Sequence, residues 1–401
     1  MLTKRVTDPK KILEIEQIIE DIQACLATRT YETGSGLYSG LTGQLLFQWQ
    51  LKKYKASFVD EGNFSALLEK VQLESQTQQD ISLAWGLSGY SWFLELLLSE
   101  LEDQPYDPEV NRDFEGYLLH QLSASQWNGD NEVVLGLAGI SVFARRRFAN
   151  NGGGFLYPKV IKTLLEQSVQ TPQGLSWSTP VHSVFRVDKQ AATEFNLGLA
   201  HGVASSIVTL THALPVLEEQ LPQIKGALES SIDWLLSQKN QPECISCFGY
   251  RAGQEANTRL AWCYGDVSTA LTLVKAALQL NNQELLSQAK TIAIASTNRR
   301  AGEAGVEDAG ICHGSAGLYL IYLRLWELLQ VPELLEAAHY WLDQTLMFYR
   351  EKGLAGFDSY VPEENAFISQ PGLLEGYSGI GLCLLVALGI DEGWDDCLLL
   401  S

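Results

Sequence analysis

The chain has 401 residues, 46% of them hydrophobic, and a formal net charge of −20 at pH 7. That charge would repel phosphates rather than neutralise them, which excludes a nucleic-acid or anionic-membrane surface; the short run Arg145-Arg146-Arg147 reads as the solvated end of a helix. Seven cysteines, odd in number and without a secreted-scaffold pattern, fit reduced thiols in a cytoplasm.

From the amino terminus, Met1 to Lys11 lacks the apolar core of a signal peptide. A small-residue element, Gly-x-x-Gly or Gly-x-x-Ser followed by an apolar run, then appears seven times. Its copies begin at Gly40, Gly86, Gly136, Gly202, Gly265, Gly314 and Gly376. Successive copies lie roughly 45 to 65 residues apart, room for two helices and their connections. Each run, such as Leu318-Tyr-Leu-Ile-Tyr-Leu-Arg-Leu325, predicts a helix buried all round. The segments between them, such as Ile224 to Leu236, carry the apolar spacing of amphipathic helices. Gly34-Ser-Gly-Leu-Tyr-Ser-Gly40 is no dinucleotide loop, because no strand precedes it.

Residues 150 to 194 read as a long loop bordering the site, His182 included. Cys244-Ile-Ser-Cys247 lacks a second pair and a redox-fold context, so a peripheral role at most is expected. The longest apolar run, Gly376 to Ile390, is too short to span a membrane and is broken by glycines. The last repeat is as apolar as the central ones, which favours a closed ring over an open solenoid with polar caps. The expected fold is therefore all-α, an α/α toroid of seven helical hairpins. It forms a single domain over residues 1–401, with the glycine elements gathered at one end.

Trp262-Cys263-Tyr264-Gly265 and Ile311-Cys312-His313-Gly314 each place a cysteine two residues before a glycine. Two thiols and one imidazole suit zinc. Three protein ligands leave a fourth position open, the mark of a catalytic site. Cys25, Cys383 and Cys397 read as small hydrophobes.

Leu199-Ala-His201-Gly202, Arg259-Leu-Ala-Trp-Cys-Tyr-Gly265 and Ile311-Cys-His-Gly314, in that order within a seven-fold repeat, resemble the lanthionine synthetase C-like family, which includes the class I lanthipeptide cyclases. The resemblance covers essentially the whole chain. It implies one zinc per chain at the toroid's mouth, held by Cys263, Cys312 and His313, with His201 as acid/base and Arg259 and Tyr264 lining the site. A family aspartate four residues before the third-repeat glycine is Glu132 here, and either Glu132 or Asp130 could fill its role. The implied substrate is a dehydrated lanthipeptide precursor. A separate dehydratase and an exporter are candidate partners, in a cytoplasmic setting peripheral to a membrane-associated biosynthetic complex.

The implied reaction adds a peptide cysteine thiol to the β-carbon of dehydroalanine or dehydrobutyrine, and the α-carbon then takes a proton. A free thiol with a pKa near about 8.5 is mostly protonated at neutral pH, which is why zinc is needed. His201 can supply the proton, Arg259 can stabilise enolate oxygen, and Glu132 or Asp130 can hold the imidazole tautomer. Two other readings remain at this level: addition of a small thiol such as glutathione to dehydroamino acids, and a non-catalytic peptide-binding zinc scaffold.

Overall fold

A computed structural model of the chain describes residues 5–29, 33–101, 105–124, 126–361 and 364–401. The first four residues of the amino-terminal stretch read above lie outside these. The described residues form fourteen α-helices and two small hairpins, Val169–Thr171 with Gly174–Ser176 and Ser359–Val361 with Ala366–Ile368. No helix among the described residues is long and apolar enough to cross a membrane.

Seven helices form an inner ring: α2 (Leu41–Tyr54), α4 (Leu87–Ser99), α6 (Leu137–Asn150), α8 (Val203–Leu217), α10 (Asp266–Gln279), α12 (Ser315–Leu329) and α14 (Tyr377–Ala387). Each begins immediately after the first glycine of one repeat element. Each packs on the next, and α14 packs back on α2, so the ring closes. These helices are buried almost throughout, as their unbroken apolar runs predict. Withdrawing each such Leu, Ile or Val from water stabilises the fold by about 1.5–3 kcal/mol.

The outer layer comprises α1 (Pro9–Thr28), α3 (Glu61–Ser75), α5 (Arg112–Ala124), α7 (Leu156–Glu166), α9 (Gln223–Leu236), α11 (Gln283–Ser296) and α13 (Pro332–Lys352). Here ordinary capping applies. Asp8, Asp60 and Asn282 accept from the backbone N–H groups of Lys10, Asn63 and Leu285. Six outer helices follow their inner partners in sequence. The seventh does not: α14 is backed by α1 from the other end of the chain, and Lys11–Asp343 at 2.6 Å and Arg350–Glu14 at 2.6 Å tie α1 to α13. The expected seventh hairpin is thus assembled from both chain ends.

The glycines start these helices because of a close approach. The N–H of the residue after the first glycine donates to the carbonyl seven residues back, for example Leu137 to Asp130 at 3.1 Å, Val203 to Asn196 at 3.0 Å and Ser315 to Asp308 at 3.0 Å. A Cβ on Gly202 would strike the Asn196 carbonyl, and one on Gly317 that of Ile311.

Residues Trp394 to Leu400 are buried. Trp262 Nε1 donates to the Leu398 carbonyl at 2.8 Å and Tyr38 Oη to that of Cys397 at 2.7 Å, while Arg324 on α12 pairs with Asp395 at 2.7 Å. Arg145 on α6 pairs with Asp396, and Lys275 on α10 donates to Ser401 O at 2.5 Å. A segment reaching α6, α10 and α12 around the ring runs through its centre, as a plug beneath the loops. The basic run on α6 is therefore not a solvated end. Arg145 serves the plug, and Arg147 is buried between Glu95 at 2.9 Å and Glu115 at 2.6 Å.

Candidate active site

The loops preceding the inner helices are joined at one end of the ring by backbone hydrogen bonds between residues two places before each first glycine. Tyr38 N–H donates to Ala84 O at 2.9 Å, Ala84 to Val134 at 3.1 Å, Ala200 to Cys263 at 3.2 Å, Cys263 to Cys312 at 3.3 Å, Cys312 to Leu374 at 2.9 Å and Leu374 to Tyr38 at 2.9 Å. Six of the seven joints are closed. At the seventh, the Val134 N–H turns to the Glu132 carboxylate at 2.7 Å, leaving a seam between the third and fourth loops. Two loops bonded by the Cys263–Cys312 joint bring both cysteines to one place.

One ligand atom from each of Cys263, Cys312 and His313 lies within 4.8 Å of the others, the one such cluster among the described residues. Cys263 is pulled well below the usual thiol range by its hydrogen bond with Cys312, against burial and helped by His313. Cys312 is pushed well above it by the same hydrogen bond and by burial. Burial lowers the His313 imidazole, but its bond to Cys263 and the charge of Asp308 outweigh this and raise it. The cluster thus concentrates negative charge on sulfur. Asp308 Oδ2 lies 3.7 Å from His313 Nε2, buried and without a hydrogen-bond partner. A carboxylate behind an imidazole, beside two thiols, is a donor set that fits zinc.

His201 and Glu132 occupy the seam, with Nδ1 and Oε2 3.4 Å apart. Glu132 is held by the N–H groups of Val134 and Leu135, each at 2.7 Å. Burial raises its pKa above the ordinary value, an effect opposed by His201 and these two donors. Asp130 borders the same small cavity, but its Oδ1 is buried and unpartnered. Glu132 is therefore the carboxylate that faces His201. Phe185 stacks on the imidazole with centroids 3.7 Å apart and planes at 28°. The long loop thus reaches the site through Phe185, while His182 is exposed.

Tyr264 lies 6.0 Å from His201 between ring centroids, and its Oη accepts from Asn196 Nδ2 at 2.7 Å. Burial pushes its phenol up to about 12. Arg259 is exposed at the start of its loop. Cys244 and Cys247 are free thiols outside the cluster, with Cys247 N–H donating to Asp266 at 3.0 Å.

Sequence reasoning missed Asp308, Asn196 and Phe185. The first two carried a readable signal. Asp80, Asp130, Asn196 and Asp308 all stand six residues before their glycines. In three of them the side chain accepts from the backbone N–H two residues on, at 2.7 to 3.0 Å. Phe185 carried none, because its loop has no repeat register.

The sequence profile of the family described as "Lanthionine synthetase C-like protein" matches residues 31–399. Among solved structures, one titled "Nisin cyclase" superposes with a TM-score of 0.72 at 20% identity, covering 98% of each chain. A sugar epimerase from a ruminal bacterium superposes with a TM-score of 0.43 at 10% identity, over 94% of this chain and 98% of that one. The first match establishes the α/α toroid of the lanthionine synthetase C fold.

Proposed function

This chain belongs to the lanthionine synthetase C-like family, and from that premise we propose that it is a zinc-dependent lanthipeptide cyclase, forming lanthionine and methyllanthionine rings in a dehydrated precursor peptide. The observation that carries the reading is the Cys263, Cys312 and His313 cluster at the ring's mouth, with the His201–Glu132 pair in the adjoining seam. Cys263, Cys312 and His313 would hold the metal. A zinc ion bound there would supply a Lewis acid that ionises the peptide thiol.

The remaining chemistry falls to the chain's own residues. His201 takes the proton that the thiol loses, sulfur bonds to the β-carbon as the alkene π pair moves to the α-carbon and its carbonyl, and His201 returns that proton to the α-carbon. The Glu132 carboxylate, 3.4 Å from His201 Nδ1, favours the proton on that nitrogen and so leaves Nε2 as the atom that exchanges protons. Phe185 limits the swing of the ring. Tyr264 lines the site beside His201, and Arg259 orients the peptide or meets enolate oxygen on approach. No atoms are lost, so substrate and ring have equal mass. The dehydroamino acids must come from a preceding dehydratase, and the finished peptide needs an exporter; we place the chain in the cytoplasm between the two.

The test is bound metal followed by cyclisation. About one zinc per chain in the wild type, lost in Cys263→Ala, is expected together with protection of the peptide thiol from alkylation. Metal-free protein that still protects the thiol would overturn the mechanism.

A further inference from the structure

The residue one place before the first glycine is His201, Tyr264 and His313 in repeats four to six. It is Ser39, Trp85 and Leu135 in repeats one to three, and Glu375 in repeat seven. The inter-loop hydrogen bonds hold these seven positions around one mouth, giving it a reactive arc and a facing arc. On the facing arc lies a cavity of about 160 Å³ lined by Tyr38, Trp85, Val134, Leu374, Glu375 and Gly376. Its wall is continuous with the metal-ligand loop. The Leu374 carbonyl accepts from Cys312 N–H at 2.9 Å, and the Glu375 charge reaches both Cys312 and His313.

Trp85 is the informative residue. The residue is 42% exposed, although the apolar residues preceding it, Leu83 and Ala84, are fully buried. An indole left in water at the lip of an apolar cavity is a surface waiting for an apolar partner. The space is suited to one side chain, since an apolar cavity of about 150 Å³ takes up a benzene ring. Glu375 at its edge and the chain's charge of −20 disfavour an acidic occupant.

We propose that this cavity is a substrate subsite, taking an aliphatic or aromatic side chain of the peptide next to its reacting cysteine or dehydroamino acid, with Trp85 as the specificity-determining wall. The proposal rests on the cyclase reading, because it places the peptide across the mouth.

Two dehydrated peptides that differ only in leucine or glycine beside the ring-forming residues test it, with kcat/KM and Kd measured for each. The wild type should favour the leucine peptide by about tenfold or more. Trp85→Ala should bring that ratio towards one, and Trp85→Phe should keep most of it. Ser39→Trp, at an exposed position that also lines the cavity, should abolish the preference by filling the space, which decides the matter if Trp85→Ala fails to fold. Equal kcat/KM for both peptides in the wild type would overturn the subsite and leave the cyclase reading standing. Turnover of neither peptide would overturn the cyclase reading, and the Kd ratio would still decide the subsite.

Discussion

His201 Nδ1 lies 3.4 Å from Glu132 Oε2 in the one unclosed joint of the loop ring, where the carboxylate has taken over the backbone N–H groups of Val134 and Leu135. The carboxylate is thus anchored by its own loop before it meets the imidazole. His201→Ala should lower kcat by about 10²–10⁴ with bound zinc unchanged. Glu132→Gln should lower kcat by about tenfold or more, because a neutral amide stabilises the imidazolium less. Single-turnover cyclisation beside a metal assay checks both; loss of zinc in His201→Ala would show a ligand rather than an acid.

Asp308 is the buried carboxylate behind His313 in the proposed metal site. Asp308→Asn should weaken zinc binding by about 10–100-fold, as loss of a carboxylate behind a ligating histidine does elsewhere. Competition with a chromophoric chelator measures it. Unchanged affinity would confine Asp308 to its turn, where it accepts from Gly310 N–H at 3.0 Å.

Phe185 holds His201 by stacking alone. A stacked aromatic pair contributes about 0.5–1.5 kcal/mol, so Phe185→Ala should reduce kcat by about three- to tenfold, with Phe185→Tyr near wild type. Zinc content should stay the same in both variants.

Lys275 is enclosed on its stem with its head partly open to solvent, and burial pulls its pKa down from 10.5 to about 7. In the unfolded chain it remains protonated up to its ordinary value. The folded state therefore binds fewer protons between the two, and stability from this group rises as pH climbs from about 7 and is lost as pH falls through that value. Relative to wild type, Lys275→Met should be more stable at pH 6 than at pH 10. The swing should be on the order of 1–2 kcal/mol after allowance for the exposed head. Denaturant midpoints at the two pH values decide it.

Trp262 joins the loop that carries Cys263 to the central plug through its bond to Leu398 O at 2.8 Å. Trp262→Phe keeps an aromatic ring but orphans a buried carbonyl and leaves part of the indole's space empty, so it should cost at least about 1–3 kcal/mol in stability. An unchanged denaturation midpoint would mean the plug needs no such anchor.

Much of the fold was legible because it repeats. A glycine forced by a loop carbonyl must recur wherever the loop recurs, so seven glycines announced seven inner helices. The same register put His201, Tyr264 and His313 at equivalent positions, and Cys263 and Cys312 one place earlier. Two cysteines and a histidine at matched positions in neighbouring repeats meet once the ring closes, so the register alone brings this cluster together.

Contacts outside that period were decided only by tertiary structure. That Glu132 rather than Asp130 faces His201 depends on which carboxylate could accept from two backbone donors and still reach the imidazole. Phe185 reached the imidazole from a loop without register, α1 was placed behind α14 by packing between opposite chain ends, and Arg147 was buried between Glu95 and Glu115. Local sterics repeated in a fixed register wrote the ring and its cysteine–histidine cluster into the chain. The Glu132–His201 approach, the Phe185 cover and the plug join residues far apart in the chain, and only packing brings those together.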